Sequence, residues 1–562
     1  MKYLYLFALS IITTGYNAQT KPVFSITPTK NISCAMPSLI NGKFYFAGND
    51  PSVSGQGVEL FSSDSTEAGT LLTKDIYSTP FFGSNPEKFT KLNSTQAVFW
   101  AQDASNGKEL WVTDGTNSGT NLVKDITPGS SNNAYDYFIN VGSAVYFMAN
   151  NGTNGFELWK TDGTNSGTNM IKDINPSGNG MDLPATVYSF IYYGKCIANI
   201  GSTVFFVAND GSTGFELWKT DGTSSGTTLV KDIYTGSNSS KPNNFIVVNG
   251  VLYFSATTNA EGTELWKSDG TTAGTVLVKD LSPLFASNTN PKYLVSLNNK
   301  IYFSGTIDSK STLFESDGTA IGTNTVFVAP NYNSELCRLT KVDTSIYFFD
   351  RSTGTAPDYS LYKFESVSNT FNLIKSNMYG ATSGPVYQPT KESAVSLNGM
   401  LYFTFDNYTN GDELWQSDGT NSGTKMITDI GVGSLTSWID NLIPVSNGLN
   451  SRLYFTSTKK TGLLYIKTDI VYTNIPNING SSKTAFSVFP NPAKEILNIE
   501  IDQLNNEPIL LTITNVLGEV IISNEIENKT KLTLNTSHLN SGVYFVTLEN
   551  SGAKSTQKII IE

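Results

Sequence analysis

The sequence predicts an all-β chain: a β-propeller of about eight or nine four-stranded blades, followed by a small β-sandwich domain. Three observations predict it. A segment of roughly fifty residues recurs in tandem through most of the chain. Each copy holds four short β-rich runs parted by turn residues, and the composition changes abruptly after residue 474.

The chain opens MKYLYLFALSIITTGYNAQT, with basic Lys2, an apolar stretch from Tyr3 to about Thr13, and small and polar residues near Ala18. This reads as a signal peptide over residues 1–18. The apolar stretch falls short of the ~20 residues a membrane-spanning helix needs, and no later window reaches that length. The mature chain is therefore expected to be water-soluble, with no transmembrane segment.

The repeat fills residues 21–474. Its clearest copies are ELWVTDGTNSGTNLVKDI from Glu109, ELWKTDGTNSGTNMIKDI from Glu157, ELWKTDGTSSGTTLVKDI from Glu216 and ELWKSDGTTAGTVLVKDL from Glu264. Weaker copies start at Glu59 and Glu413, and LFESDGTAIGT from Leu313 lacks the leading Glu. Between them recurs an aromatic run, nine times in all, from FYF at Phe44 to LYF at Leu453. The motif Asp serves as a ruler: Asp64, Asp114, Asp162, Asp221, Asp269, Asp317 and Asp418, with Glu365 and Asp469 in the degenerate places, step by 48 to 59 residues.

Within one period the runs NNFIVVNG, VLYFSAT, TELWKSD and TVLVKDL read as an antiparallel meander. Asn249-Gly250 and Asn298-Asn299 suit tight turns of positive φ, and DGTxxGT supplies an Asp able to accept from its own downstream N–H groups. Apolar residues at adjacent strand positions imply that both sheet faces are covered, which radial stacking of blades achieves. A parallel β-helix has a shorter period and an immunoglobulin-like sandwich a longer one. The ninth copy is compressed, and VFSIT from Val23 is placed to supply an outer strand closing the ring. Two smaller arrays are the alternative architecture, given the 59-residue step around Tyr188 to Gly201.

Residues 475–484, rich in Asn, Pro, Gly and Ser, read as a linker, and residues 485–562 as six or seven short strands. This last segment closely resembles the type A C-terminal sorting domain of the Bacteroidota type IX secretion system. The resemblance is carried by VFPNP at Val488 to Pro492, NVLGEVI at Asn515 to Ile521, LNSGVYFV at Leu539 to Val546, and Lys558 in the last strand. It implies export through the periplasm, passage across the outer membrane with the secretion machinery as partner, and display at the surface or release. Pro490, Asn491, Pro492, Gly518, Gly542, Tyr544 and Lys558 either shape turns and core or touch that machinery. The body in turn resembles ELWxxDGT, or hyalin-like, repeat proteins of the same bacteria, a resemblance that brings no substrate or catalytic residue with it.

Net charge is −11 and no Lys/Arg cluster occurs, so the basic footprint of nucleic-acid binding is missing. Cys34, Cys196 and Cys337 are isolated and His538 is the sole histidine, which leaves no soft-metal site and no Ser-His-Asp triad in the repeats. Calcium at the motif Asp (Asp114, Asp162, Asp221, Asp269, Asp317, Asp418) is the one cofactor worth weighing. One carboxylate followed by Gly and Thr favours an Asx-type turn cap over a calcium loop, which needs several oxygens. The motif also loosely resembles the Asp-box of sialidases, where a similar Asp stabilises a hairpin. Trp111, Trp159, Trp218, Trp266 and Trp415, each beside Leu, read as packing between blades rather than as sugar platforms. The Lys-Asp pairs of the last strand, such as Lys124-Asp125, read as cross-strand partners of the ELW glutamate at a solvated edge. The arginines Arg338, Arg351 and Arg452 lie late and in differing repeat positions, against a sialidase-like clamp. A non-catalytic binding or adhesion module for an extracellular glycan or protein is the expectation. A secreted glycan hydrolase and an inert envelope component are the alternatives.

Overall fold

Alternating turn chemistry and β-branched or aromatic runs fold each repeat into one antiparallel four-stranded sheet. In the fifth repeat the strands are Asn243–Val248, Val251–Thr258, Gly262–Ser268 and Val276–Lys279, paired in sequence order. The first hairpin turns through Asn249 (φ 51°) and Gly250 (φ 76°), and the next repeat does so through Asn298 (φ 52°) and Asn299 (φ 62°). These left-handed pairs match the twist of the flanking strands, as the sequence predicts. Leu252, Phe254 and Ala256 are buried on one face and Tyr253 and Ser255 on the other, so both faces are covered.

The computed structural model describes residues 24–25, 33–129, 138–181, 195–282, 288–332, 334–352, 358–379, 394–406, 410–430, 439–446, 451–457, 463–467, 486–501, 509–515, 520–526, 530–537, 539–550 and 553–562. The signal peptide, the linker, His538 and Gly518 lie outside the described residues. The chain divides into two compact units, Met1–Val471 and Tyr472–Glu562.

The first unit holds nine four-stranded sheets among the described residues, spanning 33–74, 87–124, 139–170, 197–231, 243–279, 292–328, 334–379, 394–428 and 440–467. We number these repeats 1 to 9. Repeat 9 supplies three strands of its own sheet, and Phe24–Ser25 supplies the fourth, with Phe24 opposite Tyr465 and Ser25 opposite Leu464. The first strand of every repeat lies beside the first strands of the repeats before and after it, and that of repeat 9 lies beside that of repeat 1. Repeats 3 and 4 are neighbours in the same way across the 59-residue step, so the series has no break where two smaller arrays would divide.

Apolar side chains from consecutive repeats share clusters. Trp159 of repeat 3 packs with Leu92, Val98 and Leu110 of repeat 2, and Phe44, Phe46 and Phe61 of repeat 1 pack with Tyr454 and Leu463 of repeat 9. At about 1.5–3 kcal/mol for each fully buried large apolar side chain, these shared faces are the main force joining the sheets. Several first strands also carry a bulge with a non-glycine residue of positive φ: Lys88, Asn244, Tyr293, Arg338 and Asn441. Bulges bend a strand and re-aim its side chains.

The second unit holds two sheets among its described residues. Phe486–Phe489, Ile496–Ile501 and Lys531–Asn535 form one, and Val520–Ile526, Ile509–Asn515, Gly542–Asn550 and Ala553–Ile561 form the other, in those spatial orders. Leu497 and Ile499 of the first meet Leu511, Ile513, Val546 and Leu548 of the second in a single core. The peptide bonds preceding Pro490 and Pro492 are cis.

Candidate functional site

The strand order places two kinds of loop at opposite ends of every sheet. The first-to-second turn and the DGTxxGT hairpin share one end; the second-to-third hairpin and the crossover to the next repeat share the other. At the first end the motif is used locally. Asp114 Oδ1 accepts from Thr116 N at 2.8 Å and from its hydroxyl at 2.7 Å, and Asp162, Asp221, Asp269, Asp317 and Asp418 repeat the pattern. These bonds, led by the threonine hydroxyl, hold Asp114, Asp162, Asp221, Asp269 and Asp317 below the usual carboxylate range. A buried hydroxyl pair, Thr113 with Thr120 at 2.7 Å in repeat 2, closes each such hairpin from beneath. A Cβ on Gly119 would sit 2.1 Å from Asp114 Oδ1, which accounts for the second glycine of the motif. Each aspartate belongs to its own hairpin, and no group of three metal-ligating side chains forms among the described residues.

The ELW glutamate and the lysine of the Lys-Asp pair do something other than the sequence reading expected. Glu109 is fully buried and is not at a solvated edge; its carboxylate accepts from Ile126 N at 2.8 Å and Thr127 N at 3.1 Å in the crossover loop. Glu59 takes Ile76 N and Ser84 N, Glu216 takes Ile233 N and Ser240 N, and Glu413 takes Ile430 N. Burial pushes Glu109, Glu157, Glu216 and Glu264 up to about 7, against the opposing pull of the N–H donors. The lysine reaches forward to the next repeat. Lys74 Nζ donates to Thr120 O (2.6 Å), Lys124 to Thr168 O (2.7 Å), Lys172 to Thr227 O (2.9 Å), Lys231 to Thr275 O (2.8 Å) and Lys279 to Thr323 O (2.7 Å). A second clasp runs from Lys160, Lys219 and Lys267 to the DGT glycine carbonyls of Gly222, Gly270 and Gly318. The physical reason for the difference is packing: a charge inside an apolar strand is tolerated only with bonded partners, and those partners lie in loops and neighbouring repeats.

Trp111, Trp159, Trp218, Trp266 and Trp415 are buried at repeat interfaces, and Lys172 and Lys231 lie over the rings of Trp218 and Trp266. They offer no open ring face to a ligand. Two of the three arginines do come together, in repeat 7. Arg351 pairs with Glu335 at 2.6 Å and Arg338 is buried with Nη1 on Thr404 O of repeat 8 at 2.8 Å, so both are engaged internally. Arg452 stacks on Tyr465 in repeat 9. Cys196 and Cys337 are free thiols, and burial pushes Cys337 up to about 12. A cavity of about 560 Å³ lies among the first strands of repeats 9, 1 and 2, with Ser38, Lys88, Thr90 and Asn441 as its polar lining. Among the described residues that lining includes no pair of carboxylates.

The feature the sequence reading missed is at the other end of repeat 1. Phe81 and Phe82 project from the crossover loop at 84% and 56% exposure, with Val53 of the adjoining hairpin at 51%. Phe81 holds φ 69° and donates its N–H to Gly55 O at 2.7 Å, while the ring of Phe82 stacks on that of Tyr77 with centroids 5.4 Å apart. The signal was present as PFFG, two adjacent phenylalanines between turn-forming residues.

In the second unit Asn491 is a clasp. Its Oδ1 accepts from Ile560 N at 2.8 Å and its Nδ2 donates to Lys558 O at 3.0 Å, which pins the segment of Pro490 and Pro492 to the last strand. The Tyr544 hydroxyl donates to Asn540 O at 3.0 Å, while a Cβ on Gly542 would meet nothing closer than 3.8 Å.

Residues 487–562 match the model of the secretion system C-terminal sorting domain. No curated protein matches the chain. Among solved structures, a prolyl endopeptidase is similar at 11% identity and a TM-score of 0.34, over 68% of this chain and 54% of that one. Puromycin hydrolase is similar at 13% identity and 0.31, over 68% and 58%, and a chain of a nidogen/laminin complex at 10% and 0.26, over 50% and 90%. This chain thus spans little over half of the first two. The matched domain defines the class: an all-β repeat protein exported through the periplasm to the cell surface by the secretion system that reads this tail. No helix among the described residues is long and apolar enough to cross a membrane.

Proposed function

We propose that residues 24–467 close into a nine-bladed β-propeller of ELWxxDGT, hyalin-like type, and that this disc is a rigid, non-catalytic binding or adhesion module carried to the cell surface. The observation that carries the reading is the unbroken cycle of first strands, from repeat 1 through repeat 9 and back to repeat 1, with Phe24–Ser25 completing the last sheet. Closure of this kind leaves short protected edges and a stiff platform. The recurring charged residues support the binding reading because they bond to the scaffold itself: Asp to its own hairpin, Glu to the crossover, Lys to the next repeat. What varies from repeat to repeat is the end built from second-to-third hairpins and crossovers, and binding groups are usually carried on such loops. The ligand is an extracellular glycan or protein. The exported chain, purified and screened against immobilised glycans and surface proteins, is expected to retain a reproducible ligand without converting chromogenic glycosides or esters. Turnover abolished by replacing one loop-end carboxylate would replace this reading with a hydrolase.

A further inference from the structure

We propose that Phe81 and Phe82 of repeat 1, with Val53 beside them, form a stacking shelf for a saccharide chain; this rests on the binding-module reading above. The shelf is built rather than incidental. A bulky aromatic residue with positive φ is a conformational outlier, and here the outlier is one of the most exposed large apolar side chains described. Nothing in the interior gains from it. Phe81 is instead held in place by its N–H bond to Gly55 O, while the Phe82 N–H bonds to Thr79 O at 3.2 Å and Asn85 N to Val58 O at 3.0 Å. Gly57 and Gly83 let the two loops touch: a Cβ on Gly57 would lie 1.8 Å from Phe82 O, and one on Gly83 2.5 Å from Val58 N. Tyr77 backs Phe82 with nearly parallel rings, 18° apart.

The size of the shelf selects the class of ligand. Phe81, Phe82 and Val53 together leave roughly 350 Å² of apolar surface open, taking an aromatic side chain as about 200 Å². A stable protein interface needs about 800 Å² on each partner, so this shelf is too small to hold a protein or a second copy by itself. It matches the CH-rich faces of one or two sugar rings. Exposed Ser52, Ser54, Ser78 and Thr79 flank the rings and offer hydroxyls where a saccharide presents its own. The equivalent crossover positions after Ile126, Ile174 and Ile233 read TPG, NPSG and YTG, so the paired phenylalanines belong to repeat 1 alone among these.

The test uses the full exported chain and its retention on cellulose, chitin, xylan, laminarin and alginate. At least one polysaccharide is expected to retain it, with retention falling at least tenfold in F81A/F82A and unchanged in I321A, which removes an exposed apolar residue at the opposite end of the sheets. Phe81→Gly relieves the backbone outlier, so its melting temperature is expected to equal or exceed that of the parent while retention is lost; this separates binding from folding. Retention that survives F81A/F82A overturns the shelf and leaves the binding module standing. Failure of every polysaccharide, with a protein ligand found instead, does the same. Self-association abolished by F81A/F82A also overturns it, in favour of contact between copies.

Discussion

At the residue scale the buried glutamates make a specific claim about pH. Glu109 in the folded chain is pushed up to about 7, above the ~4.3 of an exposed glutamate. The folded state therefore binds the proton more tightly than the unfolded state, and the stability this contributes is complete below about pH 4.3 and is lost as pH rises through about 7. Glu109→Gln removes the titration and leaves one accepting oxygen for the two N–H groups of Ile126 and Thr127, the amide nitrogen being unable to accept. The expected cost is about 1–3 kcal/mol at pH 5, shrinking toward pH 8 as the parent gives up its own advantage. Urea unfolding of both proteins at pH 5, 6, 7 and 8 measures the difference, and a gap that stays constant or widens with pH refutes the assignment. Gln matches Glu in shape and differs in its one lost acceptor and its lack of titration, so the change tests the crossover bonds and the proton and not the packing.

The elements themselves were largely legible. Aromatic and β-branched runs, Asn-Gly turns and the DGTxxGT hairpin are local, and the strands and positive-φ turns fall where local chemistry puts them. The destinations of Lys124 and Glu109 were not legible: that of Lys124 depends on how one repeat abuts the next, and that of Glu109 on how the crossover folds back over its own sheet. Read as strands alone, Lys and Glu look like an edge pair; the stacked sheets show that Thr168 O is the partner of Lys124, and the path of the crossover shows that Ile126 N is the partner of Glu109. A glutamate followed directly by Leu and Trp at the same place in each copy was the available sign that it is inside. At Phe81 the PFFG run marks a turn, but the exposure of a loop phenylalanine depends on the fold around it. The clasp yields its own prediction. Lys124→Ala removes a charged donor from a partly buried carbonyl, a loss of about 1–2 kcal/mol, and leaves repeat 2 itself intact. Amide exchange should accelerate in the 162–168 hairpin of repeat 3 and hardly change in the 114–120 hairpin of repeat 2. Equal acceleration in both would mean that the lysine stabilises its own sheet.

At the scale of the whole molecule, two short pieces of chain have effects far beyond their length. Phe24–Ser25 contributes two residue pairs to the last sheet, yet it is the N-terminal chain that joins the final repeat to the first. A closed array unfolds as one cooperative body, whereas an open one frays from its ends, since each repeat is stable only between neighbours. A mature chain beginning at residue 33 is therefore expected to melt several degrees lower and over a broader range than one beginning at residue 21, with exchange rising first in 452–467. Coincident melting curves would exclude the closing strand. The second piece is the sorting domain. Leu497, Ile499, Leu511 and Val546 share one core cluster drawn from residues 486–561, and the chain divides into two compact units, so removal of this domain should leave the repeats folded. Delivery is what should fail: with Phe486 to Glu562 deleted, the chain is expected to reach the periplasm, fold there and stay, detectable by fractionation and protected from protease added to intact cells. Asn491→Ala should reproduce part of that phenotype, because it frees the Pro490–Pro492 segment from Lys558 and Ile560 without emptying the core. Undiminished surface display of the truncated chain would separate this tail from export altogether.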